Sequence, residues 1–402
     1  MSSWWEQSVR GMTGAVKEYW DNIRNTDFFK SHPGLNEEED LHRTIPIGMH
    51  GDGGSFSNHD SLFVLTWNSL VGQGTTRMTR FLMTVIVKSQ MIPETMPAVI
   101  KILCWSFNAM LTGIEPLVNH LGEDVRGAKK FLAGRWKAAL SQLRGDWEFY
   151  AMPSLLAFPK WNEVGRMCWK CMAVRNFANV LKYSRFDRAA PWRATRITHE
   201  KYLEMLAAEN RDIPVLFDAV GFRVELVMVD VLHCVDLGIA AHIAGNVFWI
   251  CITLHVFGPN IAASITELNA KMKQWEKDKR VPNKFRGKLT KDRIKPDGQW
   301  PKLKTQAAPM HYLARFALEL AKDHLGEDCI LVCDLLVQFY ELLQDPEMFF
   351  SDAQKLRFQT IGFELCCAYA KLAAAAVADK KNFGRAPRSS ISFCICVNGM
   401  YS

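Results

Sequence analysis

The spacing of apolar residues in the first quarter of the chain predicts a β-sheet. Residues 45–52 form a short apolar run that leads into Gly51-Asp-Gly-Gly, a turn signal rich in residues that accept positive φ. Residues 61–71 and 80–92 are rich in β-branched and aromatic residues. We therefore expect three consecutive strands, with Asp52 at the tip of the first.

Apolar residues at helical spacing predict the elements that follow. Residues 95–111 have this spacing, with a proline two positions after their start, as at the beginning of a helix. Residues 135–143 fit either a strand or a helix and stop at Arg144-Gly-Asp-Trp. Beyond Pro153 the pattern is mainly helical, and the last long helices are expected at 308–325, 329–343 and 358–377.

These elements predict an α/β protein, a mixed sheet with a large, mainly helical insertion and a C-terminal helical region. A chain of 402 residues fits two domains, or one domain with a large insertion. The tail departs from the helical pattern, as a truncated or altered end does. The expected segments are a helical lead-in (1–40), the strands and first helix (41–155), the insertion (156–260), a basic connector (261–306), a helical region (307–379) and an irregular tail (380–402).

Composition narrows the class of protein. With 49% hydrophobic and 23% charged residues, the chain lies outside the disordered class. The 11 cysteines are scattered and no secretory signal pattern precedes them, so we expect an intracellular, reducing environment. The longest apolar stretch, 235–257, contains Asp236 and His242 among other polar residues, which favours a buried helix over a membrane-spanning one.

Positive charge is concentrated in one segment. Residues 271–304 contain 13 Lys or Arg against four acids, interleaved with Trp275, Phe285 and Trp300. Cations neutralise phosphates and aromatic rings stack on bases, so this pattern suits DNA; the alternative is a solvated connector between helices. The cations that we expect to bind nucleic acid are Lys271, Lys273, Lys279, Arg280, Lys284, Arg286 and Lys288.

Two carboxylates follow glycines at the ends of apolar segments. The ends of adjacent strands bring Asp52 and Asp146 together, and carboxylates so placed repel unless a hard cation such as Mg²⁺ or Mn²⁺ bridges them. Two such ions support in-line phosphodiester chemistry. The order strand, strand, strand, helix, strand, with acids ending the first and last, is that of a ribonuclease-H-like core. The alternative is that Asp52 only shapes the glycine turn and Asp146 only caps a helix.

Cysteine and histidine residues suggest a structural zinc site. Cys168 and Cys171 have the two-residue gap that lets both thiolates reach one Zn²⁺. His233 is the best third ligand, and His242, Cys234 and His199 compete for the fourth place. On one helix His233 and His242 point roughly opposite ways, which counts against that pair. The alternative is two buried thiols that flank a core tryptophan.

The order of four segments resembles the DDE transposases of the CACTA and related cut-and-paste groups. These segments are His50-Gly-Asp-Gly, Arg144-Gly-Asp-Trp, Cys168-Trp-Lys-Cys171 and Asp230-Val-Leu-His233-Cys-Val-Asp-Leu-Gly. The resemblance implies that Asp52 and Asp146 are the first two metal-binding acids and that a zinc-bearing insertion follows. It also implies a third acid on a later helix, for which Glu267 is the choice and Glu364 and Asp230 are alternatives.

The function implied by this resemblance is that of a transposase-like polynucleotidyl transferase or nuclease, which cleaves and joins DNA phosphodiesters with divalent metal ions. Such enzymes act in the nucleus, commonly as dimers or larger assemblies. Because none of the third-acid candidates has a diagnostic motif, a second hypothesis is a non-catalytic, zinc-stabilised nucleic-acid-binding or interaction protein derived from a transposase. A helical scaffold whose acids are all structural is the third.

Overall fold

A computed structural model describes most of the chain, which divides into two compact units. The first contains residues up to 172 and residues 196–228, and the second contains residues 173–195 and the chain from 229. The predictions for residues 37–40 and 380–402 lie outside the described residues. The described residues are 13–35, 41–57, 59–72, 74, 76–125, 130–156, 165–166, 168–176, 178–187, 189–344 and 349–378.

The first unit begins with two helices, α1 (Thr13–Ile23) and α2 (Asp27–Ser31). The Trp20 indole N–H donates a hydrogen bond to the carbonyl oxygen of Thr44 at 2.6 Å, and the Trp20 side chain is 1% exposed. This buried bond ties α1 to the first strand. The described part of the lead-in is therefore helical, as predicted.

The sheet has four strands in the order β3-β2-β1-β4. They are β1 (Thr44–Ser55), β2 (Ser61–Ser69), β3 (Phe81–Val87) and β4 (Lys137–Gly145), with α3 (Thr76–Thr79) before β3 and α4 (Thr95–Thr112) before β4. β1 pairs antiparallel with β2 and parallel with β4. The three predicted strands and the first helix are confirmed, and the ambiguous segment at 135–143 is a strand. The prediction that Asp52 lies at the tip of the first strand is wrong, because β1 continues to Ser55 in its pairing with β2.

The two faces of the sheet differ because side chains alternate along each strand. Met49, Leu65 and Leu143 are 0% exposed and lie on the core face. Asn68 of β2 and Arg144 of β4 stand an odd number of residues from these core residues on their strands. Both are half-buried and lie on the opposite face. One face therefore carries the apolar core, and the other carries polar groups in the middle of the sheet.

The chain after β4 is less helical than predicted. α5 (Trp147–Tyr150) follows β4 directly, and α6 (His199–Ala208) is the next α-helix in the described residues. Val227 then forms a parallel bridge with Leu143, and the Met228 N–H donates to the Leu143 carbonyl at 2.8 Å. One short bridge therefore extends the sheet beyond β4.

The second unit is helical. A π-helical segment (Leu232–Ala240) leads into α7 (Ala241–Thr253), followed by α8 (Ile261–Asp278) and the short α9 (Lys291–Ile294). The predicted C-terminal helices are confirmed as α10 (Met310–His324), α11 (Glu327–Leu343) and α12 (Asp352–Ala378). Phe339 of α11 and Phe358 of α12 pack with ring centroids 4.4 Å apart.

The segment Leu232–Thr253 is the one stretch in the described part of the chain that is long and apolar enough to cross a membrane. Its mean hydropathy is 1.6, and 78% of it is buried inside the protein. Asn246 within it donates a hydrogen bond to the Tyr369 hydroxyl at 3.2 Å. Such burial is also what the core helix of a soluble protein shows.

Candidate functional site

Asp52 and Asp146 lie at neighbouring points on the sheet. Gly51 pairs with Gly145 in the parallel ladder between β1 and β4, and each acid is the next residue along its chain. Neighbouring strands lie about 4.8 Å apart, and residues at paired positions point to the same face. Asp52 and Asp146 thus each directly follow one glycine of this pair, and from the alternation of side chains we expect both to project from the same face.

Phe149 explains why both acids follow a glycine. A Cβ atom on Gly51 would lie 2.5 Å from Phe149 Cδ2, and one on Gly145 would lie 2.9 Å from Phe149 Cγ and 2.8 Å from the Gly51 carbonyl oxygen. Real Cβ atoms essentially never approach so closely. The two strand ends therefore meet beneath the Phe149 ring, which requires glycine at both positions. Sequence reasoning missed Phe149, although its position three residues after Asp146 was a usable signal.

Both carboxylates also make local hydrogen bonds. Asp146 Oδ1 accepts the Phe149 N–H at 2.7 Å and caps α5, and Asp52 Oδ1 accepts the Gly53 N–H at 2.7 Å. The cap is the structural role that the alternative hypothesis gave Asp146, whereas Asp52 lies within β1 and shapes no turn there. Asp52 is exposed and forms no ion pair with any described residue. Its second oxygen is therefore open to a cation.

The proposed third acids do not belong to the unit that holds this pair. Glu267 on α8 and Glu364 on α12 are exposed residues of the second unit. Asp230, also in the second unit, pairs with His233 Nδ1 at 2.5 Å. The first unit itself therefore contains none of the three candidates.

Two residues that sequence reasoning missed lie near this end of the sheet. The Lys88 ammonium is 3.3 Å from Glu148 Oε1 and 2.8 Å from the point that a Cβ on Gly53 would occupy. Glu148 is two residues after Asp146, and its side chain is 74% exposed. The strand ends thus also carry an ion pair, whose acid follows Asp146 closely in sequence.

The zinc candidates are divided between the units. Cys168 and Cys171 are buried residues of the first unit. Burial raises the pKa of Cys168, but hydrogen bonds from the Cys171 thiol and from the Lys170 and Cys171 N–H groups lower it. The hydrogen bonds outweigh burial, so the pKa of Cys168 lies below its usual value. The two thiols are therefore close together, as their spacing predicts.

Of the histidine candidates, His199 belongs to the first unit and His233 and His242 to the second. His233 Nδ1 is hydrogen-bonded to Asp230 Oδ2 at 2.5 Å, and burial lowers the pKa of His242 to about 4. No group of three or more His, Cys, Asp or Glu residues that could hold a metal occurs among the residues that the structure describes. The two thiols supply half of the four ligands that a structural zinc needs.

The basic segment contains the end of α8, a loop at 279–290 and α9, and the loop is packed against α8. Glu276 on α8 is 2% exposed, accepts the Phe285 N–H at 2.5 Å and lies 3.1 Å from the Lys273 ammonium. Lys273 also donates to the Phe285 carbonyl oxygen at 2.5 Å, so it holds the loop against α8. This buried carboxylate thus satisfies both a backbone donor and a cation of the loop.

The side chains of this loop divide into buried and exposed sets. Trp275 and Phe285 are 9% and 2% exposed, so they cannot present their faces to bases as expected, whereas Trp300 is 40% exposed. Lys279 lies 3.4 Å from Glu319 Oε1. The remaining cations that we expected to bind nucleic acid are exposed: Lys271, Arg280, Lys284, Arg286 and Lys288.

Comparison with known proteins finds no relative of this chain. No protein-family model matches the chain, and no curated protein matches it either.

Proposed function

We propose that this chain is a transposase-like polynucleotidyl transferase or nuclease with a ribonuclease-H-like core, which cleaves and joins DNA phosphodiesters. One observation supports it most: two carboxylates follow paired glycines, Asp52 within β1 and Asp146 directly after β4, the parallel pair of a 3-2-1-4 sheet. The helix between β3 and β4 completes the element order of such a core. A nuclear location and a homo-oligomeric state are part of the same proposal.

The carboxylates of Asp52 and Asp146 would hold Mg²⁺ or Mn²⁺. Mg²⁺ typically takes one or two protein carboxylates and completes its shell with water and substrate phosphate, so two acids suffice to begin a site. When bound, such ions activate the attacking oxygen and stabilise the leaving one. The chain contributes the spacing, because Phe149 over Gly51 and Gly145 fixes how closely the two acids approach.

The exposed cations of the basic loop would contact the DNA backbone. Lys284, Arg286 and Lys288 alternate with the buried Phe285 and precede the buried Leu289, so the three cations stand on the solvent side of a fixed loop. Cations placed in this way neutralise phosphates without reading bases. Binding through this loop should therefore be independent of DNA sequence and weaken as salt is added.

The second candidate function is a non-catalytic nucleic-acid-binding protein stabilised by zinc. It is favoured by the local hydrogen bonds that already occupy one oxygen of Asp146 and one of Asp52. It predicts DNA binding by the basic loop with no metal-dependent cleavage. In that case, Cys168 and Cys171 would contribute two zinc ligands, and zinc would be found at one equivalent in the purified chain.

Nicking of supercoiled plasmid in the presence of Mn²⁺ separates the two functions. We expect the wild type to nick, and Asp52→Asn and Asp146→Asn to lose the activity, because each removes one negative charge from the pair. Asp212→Asn, which changes an exposed acid of the same unit, is the matched control and should nick as the wild type does. If Asp52→Asn nicked as fast as the wild type, Asp52 would have no part in the chemistry.

A further inference from the structure

A half-buried arginine lies on the same sheet face as the two carboxylates. Arg144 on β4 pairs with His50 on β1, one ladder position before the glycines that precede the acids. Because faces alternate, Arg144 and Asp146 point to the same side, about 6.7 Å apart along the strand. In the sequence, Arg144 stands out only as the first residue of the Arg144-Gly-Asp-Trp segment.

The guanidinium of Arg144 lies across the sheet rather than out into solvent. It donates a hydrogen bond to Asn68 Oδ1 on β2, and a Cβ atom on Gly48 would lie only 2.6 Å from its Nη2. Gly48 in β1 therefore leaves the space that the guanidinium occupies. The arginine is held in place by its neighbours, as a binding residue needs to be.

No anion neutralises this arginine within the described part of the chain. Arg144 forms no ion pair there, and its buried Nε atom has no hydrogen-bond partner. Burial and, to a smaller degree, the positive charge of Arg80 lower the pKa of Arg144. A partly buried charge without a counter-ion is costly, and proteins rarely keep one without a use.

A second unsatisfied group lies beside it. Thr66 on β2 pairs with His50, the residue that also pairs with Arg144, so Thr66 is on the same face. The Thr66 hydroxyl is buried and has no hydrogen-bond partner within the described residues. Buried polar atoms are nearly always satisfied, and exceptions commonly mark a missing ligand, ion or water.

We infer that Arg144 and Thr66 form a phosphate-binding site for the nucleic-acid strand on which Asp52 and Asp146 act. An arginine fork matches the geometry of phosphate oxygens, and a hydroxyl donates to them. Because Arg144 and Asp146 are two residues apart, a phosphate bound here would lie on the same face of the sheet as the carboxylates. That the ligand is a nucleic acid rests on the proposed function. That the ligand is an anion rests on the positive charge of Arg144, which has no ion-pair partner among the described residues.

Fluorescence anisotropy with a labelled DNA duplex tests this site in the full chain. Arg144→Gln should weaken binding about tenfold, as expected for a lost hydrogen bond between charged groups. It should also reduce the slope of log affinity against log salt by about one, the value for one lost phosphate contact. Arg196→Gln, which changes an exposed arginine of the same unit, is the matched control and should have a smaller effect.

Two further variants protect the test against misfolding. Arg144→Gln removes an uncompensated charge, so its free energy of unfolding should equal or exceed that of the wild type. Thr66→Val removes only an unsatisfied hydroxyl and should preserve stability while weakening DNA binding. Wild-type affinity and salt slope in Arg144→Gln, or an equal loss in Arg196→Gln, would overturn the site.

Thermal shift with inorganic phosphate separates a nucleic-acid site from one for a small anion. Stabilisation of the wild type by phosphate that is lost in Arg144→Gln, together with weaker DNA binding by that variant, supports the assignment. Stabilisation without any effect of Arg144→Gln on DNA binding would overturn it in favour of a small anion. The plasmid-nicking assay tests the proposed function separately from this binding site. Unchanged nicking by Asp52→Asn would refute the proposed function but would not alter the DNA-binding result for Arg144→Gln.

Discussion

The contact of Phe149 with the two strand ends predicts a specific cost for adding one methyl group. In Gly51→Ala the new Cβ would lie 2.5 Å from Phe149 Cδ2 and 2.6 Å from Cζ. The ring cannot easily move away, because Phe149 is 1% exposed and its N–H is held by Asp146 Oδ1 at 2.7 Å. The methyl group must therefore displace either the helix start or the strand end.

The magnitude follows from two opposing contributions. Overpacking a well-filled core costs roughly 1–3 kcal/mol. Alanine also restricts the unfolded chain, which stabilises the protein by about 0.4–1 kcal/mol where the backbone conformation is compatible. We therefore expect Gly51→Ala to lower the free energy of unfolding by about 1–2 kcal/mol.

A double-mutant cycle with Phe149→Leu, measured by urea denaturation, attributes this loss to the ring. Phe149→Leu removes the clashing edge, so the double variant should be more stable than the two single changes predict by about 1 kcal/mol or more. Gly54→Ala is the matched control, because its Cβ would meet nothing within 4 Å. The reasoning is refuted if Gly51→Ala is as stable as Gly54→Ala, or if the two changes in the cycle are additive.

Three further predictions concern other contacts. The Tyr340 hydroxyl donates to Asp236 Oδ1 at 2.6 Å, and burial raises the pKa of Asp236 to about 6. This folded-state pKa lies above the unfolded one, so the contribution to stability is present below about pH 4 and is lost as pH rises through 6, on the order of 2–3 kcal/mol. Asp236→Asn should lack that loss in denaturation at pH 4, 6 and 8, and identical pH profiles would contradict the assignment. Asp146→Ala should lose about 1 kcal/mol of stability through the missing cap of α5 while Asp146→Asn keeps most of it, whereas equal melting temperatures would exclude a capping role. Glu276→Ala leaves the Phe285 N–H and the Lys273 ammonium without their buried acceptor and should cost about 3 kcal/mol in urea, with a smaller loss for Glu276→Gln; an unchanged midpoint would show that Glu276 does not hold the loop.

The local pattern of apolar residues predicted the strands correctly but not the residues at which they end. The glycines at 51, 53 and 54 predicted a turn, yet β1 continues to Ser55, and the Phe56 and Ser57 N–H groups donate to the Asp60 carbonyl where its hairpin with β2 closes. At Gly51 the glycine is needed because Phe149, nearly 100 residues later, covers that position. A requirement that comes from a distant residue leaves no trace in local periodicity.

The candidate site, too, could be predicted from the sequence only in part. The ends of apolar runs were enough to predict that the strands before Asp52 and Asp146 are neighbours, as β1 and β4 are. That the two carboxylates meet stays a prediction. Arg144 was not recognised as a binding residue, because its unpaired charge becomes visible only when Gly48 and Asn68 are seen beside it. Trp275 and Phe285 were misjudged because interleaved charges and aromatics do not reveal which side chains face inward, and here both are buried.

Binding of Mn²⁺, followed by electron paramagnetic resonance, tests most directly the claim that Asp52 and Asp146 share a divalent cation. It does not depend on finding the right DNA substrate. The account predicts that the wild type removes free Mn²⁺ from solution, that Asp52→Asn and Asp146→Asn each weaken this binding strongly, and that Asp212→Asn leaves it unchanged. Mn²⁺ binding that is the same in Asp52→Asn as in the wild type would contradict the account.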